Sequence, residues 1–297
     1  MKKELERMIW QAKYEAETNW IKATQTLQEA IQLYPQEMRL FDELGNLYFY
    51  KDAFEQAAGY YKQALDLDFR NADVIFKLAY CHLINRDFEL AEHYFDMISE
   101  IIPEATYNKC VALYKLNKGY KAIELLEDLI IYSNYSEKPY VLLGKLYLEY
   151  ERFQKVFELV ETAQKIFGKV NELTFIRGTA FFHTRQWLKA YVDFMDVEET
   201  VSDTPTYYRM YALTCEKIGK TDKAIEILLR SIEKYPPFYG AYYDLVKIFI
   251  MYNRYSDALK IVDKLYKLGI TLFEISGSEG QLFDNVFNSM RDKKEDK

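Results

Sequence analysis

Phe41-Asp42-Glu43-Leu44-Gly45-Asn46-Leu47-Tyr48 decides the fold of this chain. Its large residues at 41, 44 and 48 and its glycine at 45 are spaced by three and four, which puts them on one face of an α-helix. Ala57, Tyr61 and Ala64 then mark a second helix packed on the first. The same order returns as Tyr140, Leu143, Gly144 and Tyr147. It returns more loosely as Tyr208, Tyr211, Ala212 and Cys215, with Ala224, Leu228 and Pro236 behind them. The echo has a period of 34 residues. A period of that size means stacked helical hairpins, none of which can bury its apolar face alone.

With Gly45 as the small position of its helix, units open near Glu4, Met38, Ala72, Pro103, Glu137, Asn171, Pro205 and Tyr239. These eight units predict sixteen helices, and only the step from Ala72 to Pro103 is three residues short. Each second helix carries a small residue at the equivalent place: Ala23, Ala57, Ala91, Ala122, Ala190, Ala224 and Ala258, with Val156 the exception. A small side chain there lets two helices approach closely. Pro35, Pro103 and Pro236 follow second helices and stop them, whereas Pro139 and Pro205 fit first turns, where a missing N–H costs nothing. Thr204 and Ser136 are expected N-caps. Turns such as Tyr50-Lys51-Asp52-Ala53 and Asn85-Arg86-Asp87 leave no room for a catalytic lid.

These residues resemble the tetratricopeptide repeat family, whose loose signature is a large residue, Leu-Gly, Tyr, then Ala, an aromatic, Ala and a closing Pro. Met38 to Phe69 follows it nearly throughout, with Phe69 in place of the proline, and Glu137 to Gly168 and Pro205 to Pro236 follow it well. Lys109 and Arg177 stand where apolar residues are expected, and a register shifted by one is an alternative for the fourth unit. The resemblance covers about nine-tenths of the chain. It implies an all-α, right-handed superhelical solenoid over 1–270. A loop and an amphipathic capping helix are expected over 271–291, with Leu282, Phe283, Val286, Phe287 and Met290 on one side, and a disordered charged tail over 292–297.

Composition bounds the function. Apolar residues make up 49 % of the 297 and charged residues 29 %, enough for a continuous core under a polar surface. The net charge is −7 and Lys and Arg are not concentrated, which disfavours nucleic acid as a partner. The first residues lack the apolar core of a signal peptide, and no apolar run approaches a bilayer span. Cys81, Cys110 and Cys215 are odd in number and far apart, so buried free thiols in a reducing cytoplasm are expected.

Chemistry finds little purchase. Cys81 and His82 point about 100° apart on a helix and cannot readily share a metal, so no metal site or cofactor is expected and His82 and His93 read as packed or surface residues. The chain has no GxSxG, Walker, Rossmann or HExxH pattern, so an enzyme is not expected.

The remaining site is the one the resemblance implies, the inner surface lined by first helices. Carried over unit by unit, it offers Asn46 and Tyr50, Lys77 and Tyr80, Asn108 and Tyr114, Lys145, Phe182 and His183, Arg209, and Tyr243 and Lys247. Aromatic and aliphatic groups with single polar groups between them suit a hydrophobic or amphipathic peptide or helix, its backbone held by Asn46 and Asn108. The chaperone-tail clamp known in the family is not supported, because Asp42 and Glu43 stand where its Lys and Asn would be. An adaptor for another protein is therefore the leading expectation. A self-assembling component, homo-oligomeric through its ends, is the alternative.

Overall fold

The computed structural model describes residues 2–132, 136–198, 200, 204–271 and 274. Among them the chain forms sixteen α-helices and no strand. The hairpins are α1 (Lys2–Thr18) with α2 (Trp20–Leu33), α3 (Met38–Phe49) with α4 (Phe54–Leu67), and α5 (Ala72–Ile84) with α6 (Phe88–Asp96). Next come α7 (Pro103–Lys115) with α8 (Gly119–Tyr132), α9 (Lys138–Glu149) with α10 (Phe153–Phe167), and α11 (Asn171–His183) with α12 (Trp187–Asp196). The last are α13 (Pro205–Lys217) with α14 (Thr221–Lys234) and α15 (Tyr239–Met251) with α16 (Tyr255–Lys267). The fold is an all-α helical solenoid. It comprises two compact units, Met1–Leu146 and Tyr147–Lys297.

Helix openings fall within two residues of the period read from the sequence. Pro103 is the first residue of α7 and Cys110 is fully buried, so the fourth unit keeps that register, without a shift. The Thr204 side chain caps α13 by accepting from the Tyr207 N–H, and the Ser136 hydroxyl accepts from the Lys138 N–H at 3.2 Å. The seven alanines and Val156 of the second helices are all 0 % exposed, so this position is the seam of the array. At Gly45 an added Cβ would collide with the Tyr61 ring, which approaches the glycine too closely for any side chain.

A recurring turn closes seven of the eight hairpins. The N–H of Ala53 donates to the carbonyl of Tyr48, five residues back; Asp87 and His82, Lys118 and Leu113, Arg152 and Tyr147, Gln186 and Phe181, Lys220 and Cys215, and Arg254 and Phe249 do the same. This bond belongs to the helix-ending motif that needs a left-handed residue just before the donor. Asp52, Arg86, Asn117, Glu151, Arg185, Gly219 and Asn253 occupy that place with φ between 54° and 78°. Only one is glycine, so six turns hold an L-residue in a conformation that favours glycine.

The three-residue deficit falls on α6, which has 9 residues where α4 and α8 have 14. All three cysteines are buried free thiols. The expected capping helix and charged tail lie outside the described residues.

Candidate functional site

Within the compact unit Met1–Leu146, α5 and α7, with Leu129 of α8 and the start of α9, line a cleft of about 950 Å³. Phe76, Tyr80 and Leu83 of α5 form one wall, Tyr107, Asn108 and Val111 of α7 the other. The helical period explains the set: 76, 80 and 83, and 107 and 111, recur every three or four residues and so share a face. Phe76 and Tyr80 stack with centroids 6.5 Å apart, and Phe76 meets buried Phe95 edge-on at 5.6 Å, which anchors that wall to α6. Burial pushes the Tyr107 phenol above its ordinary value, so it remains a neutral hydroxyl. The carboxamide of Asn108 has no hydrogen-bond partner among the described residues. Glu104 and Lys138, both exposed, supply one charge of each sign at the mouth.

A smaller cleft of about 480 Å³ lies between α1 and α3, and Asn46 and Tyr50 line it with Trp20. Asn46 is engaged internally, accepting from the Tyr61 hydroxyl at 3.0 Å. Tyr50 is 81 % exposed at the end of α3. Lys13 and Glu43, joined at 2.6 Å, sit in the same cleft. The structure thus brings Tyr80 and Asn108 together in one cavity and Asn46 and Tyr50 in another.

Several of the other expected residues serve the stacking of the array. Lys77 reaches Asp42 of the preceding hairpin at 2.9 Å and Asp73 at 2.7 Å. Burial works against charge on both partners: it pushes the Asp42 carboxyl up, while at Lys77 the two carboxylates outweigh burial and hold the ammonium above its ordinary value. In the second unit Arg209 makes the same connection with the polarity reversed, donating through Nε and Nη2 to the carboxylate of Asp244. Tyr243 is buried at 8 % exposure, with the Lys247 ammonium 5.7 Å from its ring centroid. Lys247 also lines a small cleft of about 160 Å³ with Leu213 and Met251. Phe182 packs on Trp187 at 5.1 Å, and exposed His183 stacks flat on Phe153. Tyr114 is half-buried on α7 beside Lys115, and Lys145 projects exposed from α9.

Sequence reasoning missed the ion pairs. Asp42 pairs with Lys77 and Arg209 with Asp244 across 35 residues, one more than the period. The fifth position of one unit meets the sixth of the next, so complementary charges at that offset were the available signal. Lys109 and Arg177, cations at an apolar position of the frame, are likewise answered, by Asp96 and Asp193.

Comparison with known proteins agrees with this architecture. Residues 43–106 match the model of the tetratricopeptide repeat family. A tetratricopeptide repeat protein from Parabacteroides merdae superposes with a TM-score of 0.60 at 14 % identity, covering 83 % of this chain and 98 % of that one. PilF of Pseudomonas aeruginosa gives 0.58 at 16 % identity, over 67 % and 92 %. A chain of the Cut9–Hcn1 hetero-tetramer of the APC/C gives 0.59 at 12 % identity, over 82 % and 49 %. The tetratricopeptide repeat match thus covers residues 43–106, and the likeness to these structures extends the same fold over most of the chain. In sequence, it is 23 % identical over 260 residues to the Drosophila melanogaster protein named as the BBSome complex member BBS4 homolog. It spans 82 % of this chain but only 53 % of that relative, about half its length. Among the described residues no helix is long and apolar enough to cross a membrane.

Proposed function

We propose that this protein is an interaction scaffold that holds an extended, largely apolar segment of another protein in the cleft between α5 and α7. The observation that carries this reading is the Asn108 carboxamide, half-buried in the cleft wall opposite Phe76 and Tyr80 and without a hydrogen-bond partner among the described residues. A carboxamide both donates and accepts, so it can answer one peptide group of a bound strand. A helix satisfies its own backbone and would leave that capacity unused. Phe76, Tyr80, Leu83 and Tyr107 offer the apolar contact, and tyrosines are frequent anchors at interfaces. The near-absence of charge inside the cleft argues against a strongly acidic or basic segment. The Drosophila relative is a member of a multiprotein complex, which supports a role in assembly. Buried free thiols fit a reducing compartment such as the cytoplasm. No catalytic role is proposed.

The test is selection of peptides from a random display library on the purified protein, followed by fluorescence polarisation of the winners. Tyr80→Ala and Asn108→Ala should each weaken a selected peptide by about 10-fold or more, as removal of a central anchor does. Winners that bind both variants as well as the wild type would move the site away from this cleft.

A further inference from the structure

The second helices share three outer positions two turns in extent, and in α12 all three are aliphatic. Leu188, Val192 and Met195 are 72 %, 55 % and 49 % exposed. Every other second helix has at least two charged or polar residues in this triplet, as with Glu55 and Lys62 in α4, and a large apolar or aromatic residue enters only singly, as Ile21, Tyr120 and Leu229. An apolar stripe rimmed by charge marks a contact surface. It is not needed for the hairpin, because α12 buries its other side through Ala190 and Phe194, both 0 % exposed.

We infer that this stripe pairs with the same stripe of a second copy, the two α12 helices running antiparallel. Charge along the helix selects that occupant. Lys189 and Asp196 lie seven residues apart, hence on the same flank of the stripe, near opposite ends of the helix. A two-fold axis crossing α12 at Val192 lays Leu188 on Met195 of the second copy. It also sets Lys189 opposite the second copy's Asp196, and symmetry repeats the pair. A parallel two-fold would carry this flank to the far side of the second helix and form neither pair. Asp196 already accepts from Lys169 at 2.9 Å, yet its side chain remains 51 % exposed and open to a second cation. Three aliphatic side chains are less than a standard interface supplies, so the dimer is weak and concentration-dependent.

Sedimentation equilibrium from low micromolar to near-millimolar protein reads this directly. The wild type should pass from monomer to dimer. Leu188→Glu with Val192→Glu should weaken self-association about 100-fold, about tenfold from each copy. Lys189→Glu should also weaken it, and adding Asp196→Lys should restore it, which only antiparallel self-pairing predicts. All four positions are exposed, and circular dichroism checks that the variants remain folded. A wild type monomeric throughout would overturn the inference and leave the stripe to a different protein. A dimer indifferent to these changes, or a charge swap that fails to restore it, would overturn it as well. Neither result touches the peptide cleft, which lies on α5 and α7.

Discussion

Replacing Arg177 tests how this array tolerates a charge at an apolar position of its frame. Its Nε and Nη2 each donate to Asp193 at 2.8 Å, and Nη1 reaches the Gln164 side chain at 3.3 Å. The Asp193 side chain is 7 % exposed and that of Arg177 25 %. Arg177→Leu strands a buried carboxylate. Removing one partner of a fully buried pair costs about 3–5 kcal/mol, and the water that reaches the arginine side lowers this to about 2–4 kcal/mol. Asp193→Ala should cost less, about 1–2 kcal/mol, because the arginine left behind can turn to solvent. The double change Arg177→Leu/Asp193→Ile installs the pair that the eighth unit carries as Leu245 and Ile261, both buried. It should equal or exceed the wild type, since hydrophobic replacement of a buried ion pair is often neutral or stabilising by about 1–4 kcal/mol. Urea unfolding followed by far-ultraviolet circular dichroism and by tyrosine fluorescence measures all four proteins. The two probes also check that the array unfolds as one transition. A single leucine variant within about 0.5 kcal/mol of wild type, or a double variant no better than the single, would refute the reasoning.

Two further outcomes follow from the turns and the thiols. Gly219→Ala should destabilise by about 1–2 kcal/mol, the cost of a left-handed L-residue. Arg86→Gly, the reverse change at the equivalent place, should stabilise by about 0.5–1 kcal/mol once the unfolded chain's added freedom is subtracted; opposite signs in urea midpoints are the check. Burial pushes Cys81 and Cys110 from an ordinary 9.0 up to about 12, and Cys215 to about 11. The folded state therefore keeps protons that the unfolded chain releases. Stability is complete below about pH 9 and falls as pH rises towards 11 and 12, by about 1.4 kcal/mol per pH unit for each thiol. A triple Cys→Ala variant should lose stability less steeply between pH 9 and 10.5, and an equal slope would show that the thiols do not contribute.

Much of the fold was legible because its dominant constraint is local and periodic. A helix seam needs a small residue in every unit, and Ala57, Ala91 or Ala224 can be found by counting alone. The site was legible only in part. Counting assigns Tyr80 and Asn108 to the same face as Lys77 and Arg209, yet the first two line a cleft while the latter two are spent on Asp42 and Asp244. What separates them is a contact between neighbouring first helices, offset by one residue from the period, and an alignment of each unit on itself does not display it. Tyr243 shows the same limit: its place in the frame suggests a groove, and packing against the neighbouring hairpin buries it.

Departures from the frame carry the information that the frame itself lacks. Lys109 and Arg177 break the apolar rule, and each break is answered by a carboxylate, Asp96 or Asp193, so both are closed within the chain. The short α6 is also accommodated locally, where Ile98 beyond its end is 1 % exposed and continues the core. The stripe on α12 breaks the opposite rule, placing three aliphatic groups where each sister helix carries at most one and otherwise mainly polar or charged residues. Solvent offers Leu188, Val192 and Met195 no compensation of the kind that Asp193 gives Arg177. An irregularity balanced inside the chain is structural; one left open on its surface calls for a partner, and the charges flanking this one fit the same helix turned end over end.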